Sequence, residues 1–166
     1  MGIATEKDIS PTMEDYLEQI YHLQEEGRVA RSKDVAEKLG VTKGTVTGTL
    51  KTLAAKGLID HQPYSYITLT DAGEKAALEI IRRHEVLKDF FENVLRLQSE
   101  AAEANACRIE HAVDDDLMDR LVAFLDFLRQ CPQVSDEFTS MFERFFQRGG
   151  VGDCDKCQNA DECLPD

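Results

Sequence analysis

Apolar residues recur at helical spacing along most of this chain. After Ser10 and Pro11, Met13, Tyr16, Leu17, Ile20, Tyr21 and Leu23 form one stripe, predicting an amphipathic helix capped by Ser10 and closed by Gly27. Ser32 then caps a short helix with Val35, Ala36 and Leu39 inward, stopped at Gly40. A third helix carries Val46, Leu50 and Leu53 on one side and ends before Gly57, while its other side shows Lys43, Thr45, Thr47, Gly48 and Lys51. Two helices joined by a short glycine-containing turn, the second with a small polar face, make a helix-turn-helix.

Beyond Gly57 the period changes. Leu58-Ile59-Asp60-His61 and Tyr66-Ile67-Thr68-Leu69 are short β-branched or aromatic runs around Gln62-Pro63-Tyr64-Ser65, which predicts a hairpin. A helix-turn-helix followed by a hairpin is a winged helix. Thr70 is the expected N-cap of a long helix running to about Leu97, with Ala77, Ile80, Ile81, His84, Leu87 and Phe91 on related faces. Three more helices follow: one around Cys107, one from about Asp114 to Gln130, and one from about Ser135 to Gln147 that holds Phe138, Phe142, Phe145 and Phe146. That much apolar surface on a small helical unit predicts a homodimer. The expected fold class is mainly α: an N-terminal winged helix-turn-helix with a small β-hairpin wing over residues 1–72, an all-helical dimerisation domain over 73–148, and a Cys-rich tail over 149–166.

Charge refines this picture. The net charge is -13, yet between Arg28 and Lys56 seven basic residues face only Asp34 and Glu37, leaving -18 for the rest. An acidic body with one basic segment suits DNA, because counterion release depends on the local patch. The residues expected at DNA are Arg31, Thr42, Lys43, Thr45, Thr47 and Lys51, with Tyr64 and Ser65 at the wing tip. No apolar run is long enough to span a bilayer, and the first residues lack a signal-peptide pattern, so a cytoplasmic protein with no membrane partner is expected. Five cysteines, an odd number in such a chain, favour thiol or metal chemistry over a disulfide framework.

The sharpest chemical signal is Cys107-Arg108-Ile109-Glu110-His111. On a continuous helix its thiol, carboxylate and imidazole, at i, i+3 and i+4, share one face the size of a metal ion. Asp15, Glu18, His84 and Glu103 are the residues available to complete such a site. An enzyme would need an open metal position and a substrate-directed acid or base; no substrate is indicated, so a non-enzymatic role is expected.

Met13-Glu14-Asp15-Tyr16-Leu17-Glu18-Gln19-Ile20-Tyr21, Leu69-Thr70-Asp71-Ala72-Gly73, Arg83-His84-Glu85 and Cys107-Arg108-Ile109-Glu110-His111 together resemble the diphtheria toxin repressor family of metal-dependent regulators, over roughly residues 10 to 130. The resemblance implies a winged-helix domain, a helical dimerisation domain, and a ferrous or manganous ion that turns a weak DNA binder into a repressor. By motif, Asp15 and Glu18 resemble the manganese branch and Cys107 the iron branch, whereas Glu110, His111 and His84 suit both. Lys88 stands where iron-type members place an acid, and Glu103 where they carry a histidine. A thiolate with imidazole and several carboxylates suits ferrous iron, with manganese as the alternative. The metal is expected to offset the repulsion among Asp15, Glu18, Glu110 and the Cys107 thiolate, and so to gate binding to a palindromic operator.

The tail Cys154-x2-Cys157-x5-Cys163, with Cys131 as a fourth thiol, is a second candidate site, for zinc or an iron–sulfur cluster. Its alternative use is a redox sensor that sets DNA affinity through the tail. The family resemblance does not extend to it.

Overall fold

The hydrophobic stripes become helices α1 (Pro11–Glu25), α2 (Ser32–Leu39) and α3 (Lys43–Ala55) in the computed structural model, which describes residues 9–27, 29–61 and 66–147. Ser10 sits at the N-cap of α1 with extended backbone, but its hydroxyl accepts no capping bond, so the entry relies on Pro11. Arg31, not Ser32, occupies the N-cap of α2. Gly40 ends that helix at φ 64°, in the left-handed region where glycine has no Cβ penalty. At α3 the side chain of Thr42 accepts from Thr45 N at 3.4 Å.

Strands β1 (Ile59–His61) and β2 (Ile67–Leu69) pair antiparallel with Ile59 opposite Leu69 and His61 opposite Ile67, and Ala30 adds an isolated bridge to Ile67. Gln24 Oε1 of α1 accepts the Leu69 N–H at 3.1 Å, fastening β2 to the first helix. The shared core takes Tyr16, Leu17, Ile20 and Leu23 from α1, Val35 from α2, and Val46, Leu50 and Leu53 from α3. Ile67 closes it from the hairpin, at 0 % exposure. Each such aliphatic side chain stabilises by about 1.5–3 kcal/mol relative to exposure. The result is a winged helix-turn-helix in a mainly helical chain.

Helix α4 (Asp71–Asp89) starts where the Thr70 hydroxyl accepts from Gly73 N at 3.1 Å and donates to Gly57 O at 2.7 Å. A Cβ at Gly73 would stand 1.8 Å from Leu58 O, so only glycine permits this approach of helix to strand. The long helix expected to reach Leu97 ends earlier. A π-helical turn over Phe90–Val94 follows it, and Arg96 adopts φ 57°, a left-handed conformation that an α-helix cannot contain. Then come α5 (Ser99–Ile109), α6 (Asp115–Gln130), capped by Asp114 accepting from Leu117 N at 2.9 Å, and α7 (Pro132–Gln147). The last helix begins at Pro132 rather than Ser135, as befits proline in a first helical turn.

The chain divides into two compact units. The first holds the residues up to Glu85 together with Arg108–Ala112; the second holds Val86–Cys107 and the residues from Val113 on. The first unit runs past residue 72 because Ala77 and Ile80 of α4 join its core. In the second, Leu87, Ala106, Val113 and Met118 form one apolar cluster and Val94, Leu125 and Leu128 another. Phe127, Phe138, Phe145 and Phe146 remain exposed. Among the described residues no helix is long and apolar enough to cross a membrane.

Candidate metal centre and nucleic-acid face

Helix α5 stops at Ile109, and Glu110, His111 and Ala112 form a turn closed by Ala112 N donating to Ile109 O at 2.8 Å. This corrects the expectation of one continuous helical face for Cys107, Glu110 and His111. Once the helix ends, the i, i+3, i+4 rule no longer aligns them. Cys107 is exposed, whereas the Glu110 side chain is fully buried. The turn packs with the first compact unit, to which α1 and most of α4 also belong.

There Glu18, His84 and Glu110 each bring one ligand atom within 4.8 Å of the others. His84 Nδ1 and Glu110 Oε2 are hydrogen-bonded at 2.7 Å. The other oxygen, Glu110 Oε1, is buried and accepts no hydrogen bond, with His111 Nε2 at 3.3 Å. His111 is also bracketed from α1: Nδ1 lies 2.5 Å from Glu14 Oε2, and Nε2 lies 3.0 Å from Asp15 Oδ1. Glu14, Asp15 and Glu18 are spaced by one, three and four, which on α1 is a single acidic face turned toward the two histidines. Burial and the Glu110 carboxylate both hold the Glu18 carboxyl above its usual range, only partly countered by His22 at 3.6 Å and by His84.

This donor set fits a divalent cation. Four carboxylates surround two imidazoles, one carboxylate oxygen has a spare lone pair in a dry position, and two carboxylates repel. The residues able to hold an ion are Glu18, His84 and Glu110, with Asp15 and His111 beside them. Other expected ligands are placed differently. Glu103 is exposed and ion-paired with Lys88 Nζ at 2.8 Å, both in the second unit, so its carboxylate is already compensated. Cys131 is half-buried at the C-terminal end of α6. Cys154, Cys157 and Cys163 lie outside the described residues. Glu14 escaped the sequence reading, although its spacing of four from Glu18 was the available signal.

Most of the residues expected at DNA lie on or beside α3. Lys43, Thr45, Thr47 and Lys51 are exposed on α3, opposite buried Val46, Leu50 and Leu53, and Thr42 is exposed at its N-cap. The Thr47 hydroxyl donates to Lys43 O at 2.9 Å. Arg31, exposed before α2, places its guanidinium 5.4 Å from the ring centre of Tyr66, the residue before β2, a cation–π contact. Tyr64 and Ser65 lie outside the described residues.

Comparison with known proteins agrees with both regions. Residues 8–67 match the iron dependent repressor N-terminal DNA binding domain, and residues 70–139 match the iron dependent repressor metal binding and dimerisation domain. An uncharacterised HTH-type transcriptional regulator of Methanocaldococcus jannaschii is 34% identical over 119 residues, covering 71% of this chain and 95% of that one. The HTH-type transcriptional regulator MntR of Lysinibacillus sphaericus is 31% identical, covering 75% and 89%. The diphtheria toxin repressor of Corynebacterium glutamicum is 32% identical over 76% of this chain but only 55% of its own length. A solved manganese-dependent transcriptional repressor in complex with manganese superposes with a TM-score of 0.65 at 39% identity, over 69% of this chain and 53% of that one. This chain thus spans about half the length of some relatives and nearly all of others, and neither matched segment reaches the tail cysteines. A winged helix joined to a helical unit, with an acidic–imidazole cluster, agrees with both matches: the chain belongs to the iron-dependent repressor family of metal-dependent transcriptional regulators.

Proposed function

We propose that this protein is a homodimeric repressor whose grip on palindromic operator DNA is gated by a ferrous or manganous ion. The observation that carries the reading is the convergence of Glu18, His84 and Glu110 within 4.8 Å, with Glu110 Oε1 buried and without a hydrogen bond. A bound divalent cation supplies positive charge where Glu18 and Glu110 repel.

The chain's own residues transmit the effect. Asp15 and Glu18 stand on α1, whose opposite face sends Leu17, Ile20 and Leu23 into the core shared with Val46, Leu50 and Leu53 of α3. Any change in how α1 meets the Glu110–His111 turn therefore reaches the recognition helix through packed side chains. From that turn α5 runs back by covalent continuity into the second unit. Exposed Phe127, Phe138, Phe145 and Phe146 there support a self-association surface. Taking the regulator from mostly inactive to mostly active requires roughly 5.5 kcal/mol of differential binding.

Cys107 is the sequence's ground for preferring iron. With that thiol exposed, oxygen and imidazole donors dominate, a set that suits manganous as well as ferrous ion. Named relatives include manganese-dependent regulators, which supports keeping both ions in the proposal. The test is anisotropy on an operator selected from random DNA, titrated anaerobically with ferrous, manganous, cobalt and zinc ions. Glu110→Gln and His111→Ala lose the metal stimulation while keeping a native circular dichroism spectrum. Full metal response in both variants would refute the gate.

A further inference from the structure

We propose that Glu14 is the positioning residue of the metal centre: it holds the His111 imidazole by Nδ1 so that Nε2 is the nitrogen presented to the ion. The inference rests on the metal-gated reading above, and it concerns a residue that contacts His111 and belongs to no ligand group.

Three observations carry it. First, the Glu14–His111 contact at 2.5 Å is the shorter of the two hydrogen bonds this imidazole makes, and both side chains are nearly buried, at 13% and 12% exposure. Second, the opposite ring nitrogen faces oxygens of two other carboxylates, Asp15 Oδ1 at 3.0 Å and Glu110 Oε1 at 3.3 Å. With carboxylates at both ring nitrogens, a cation must displace one ring proton; the shorter Nδ1 contact keeps its N–H on Glu14, which leaves Nε2, where Asp15 and Glu110 converge, as the donor atom. Third, Glu14 joins residues 97 positions apart, from the first turns of α1 to the turn after α5. The turn residue is no longer held by helical geometry and needs such an anchor.

A carboxylate that accepts the remote N–H of a metal-bound histidine fixes the ring's tautomer and direction and raises its basicity. Loss of such a partner commonly weakens metal affinity by about 10- to 100-fold. A merely structural ion pair would instead lower thermal stability and leave affinity alone. Glutamine separates charge from geometry, since its amide oxygen accepts the same N–H without the negative charge.

The experiment uses the full chain, Glu14→Ala and Glu14→Gln, with Glu110→Gln as the variant that removes a ligand. Manganous-ion dissociation constants come from competition with a fluorescent chelator, and the His111 ring nitrogens are read by nitrogen-15 NMR in the zinc-loaded protein. The expected result is a loss of about 10- to 100-fold in Glu14→Ala, an intermediate loss in Glu14→Gln, and zinc on Nε2 with a protonated Nδ1. A Glu14→Gln constant equal to wild type together with a Glu14→Ala constant within twofold of it overturns the proposal, whatever the melting temperature does. Zinc on Nδ1 in the wild type overturns it as well. If Glu14→Ala fails to fold, Glu14→Gln and the wild-type NMR decide. Failure of the underlying reading looks different: the wild-type chain then binds manganese no better than Glu110→Gln does.

Discussion

Replacing Glu18 by glutamine separates stability from metal response. Its carboxylate and that of Glu110 lie with ligand atoms within 4.8 Å, and burial together with that neighbour raises its pKa from the usual 4.5. Two unit charges at that distance repel by about 3.5 kcal/mol at an effective dielectric of ~20. His22 and His84 offset part of this, and Glu18 is only partly enclosed, so the expected gain is about 1 kcal/mol. For a chain of this length that corresponds to a rise of roughly 2–4 °C in the melting temperature of the metal-free protein. The sign fixes the pH dependence. A carboxyl with a raised folded pKa binds more protons folded than unfolded, so its penalty is full above the raised value and vanishes as pH falls toward 4.5. The advantage of Glu18→Gln should therefore be greatest at pH 7–8 and shrink on acidification. With metal the order reverses: ligand at a hundredfold over its dissociation constant stabilises the wild type by about 2.7 kcal/mol, and the variant lacks most of that gain. Scanning calorimetry with chelator and with manganous ion, at several pH values, measures both. A chelated variant less stable than wild type at pH 7.5, with the metal shift intact, would refute the reasoning.

Three further outcomes are expected. Gly73→Ala forces a Cβ to within 1.8 Å of Leu58 O and must push α4 off the strand; urea denaturation should show a loss of about 3 kcal/mol or more. Asp114→Ala removes the acceptor for Leu117 N and should cost about 1 kcal/mol in the same assay, with the metal constant unchanged. Lys51→Ala removes an exposed charge from the recognition face and should lower the slope of log affinity against log salt by about one for specific and random DNA alike.

The elements were legible because they are local. Stripes such as Val46, Leu50 and Leu53, glycines at helix ends, and the alternation around Ile67 each report a backbone preference that a few neighbouring residues settle. The exposed polar side of α3 was legible for the same reason, since Lys43, Thr47 and Lys51 share one side of a single helix. Several boundaries were not. Helix α4 stops at Asp89 and a π-helical turn follows; beyond it Arg96 turns left-handed and donates to Thr139 at 3.1 Å, a contact 43 residues away. The candidate metal centre was only half legible. Glu18, Glu110 and His84 follow from residue type and motif, but which side chains converge depends on where α5 ends. With α5 ending at Ile109, the Glu110 side chain is buried while Cys107 is exposed. Sequence by itself determined the helices and the winged helix-turn-helix, and it offered the donor types of the candidate site. Tertiary structure alone decided that Glu14 grips His111 and that Glu103 is given to Lys88, because those pairings join residues that no local periodicity relates.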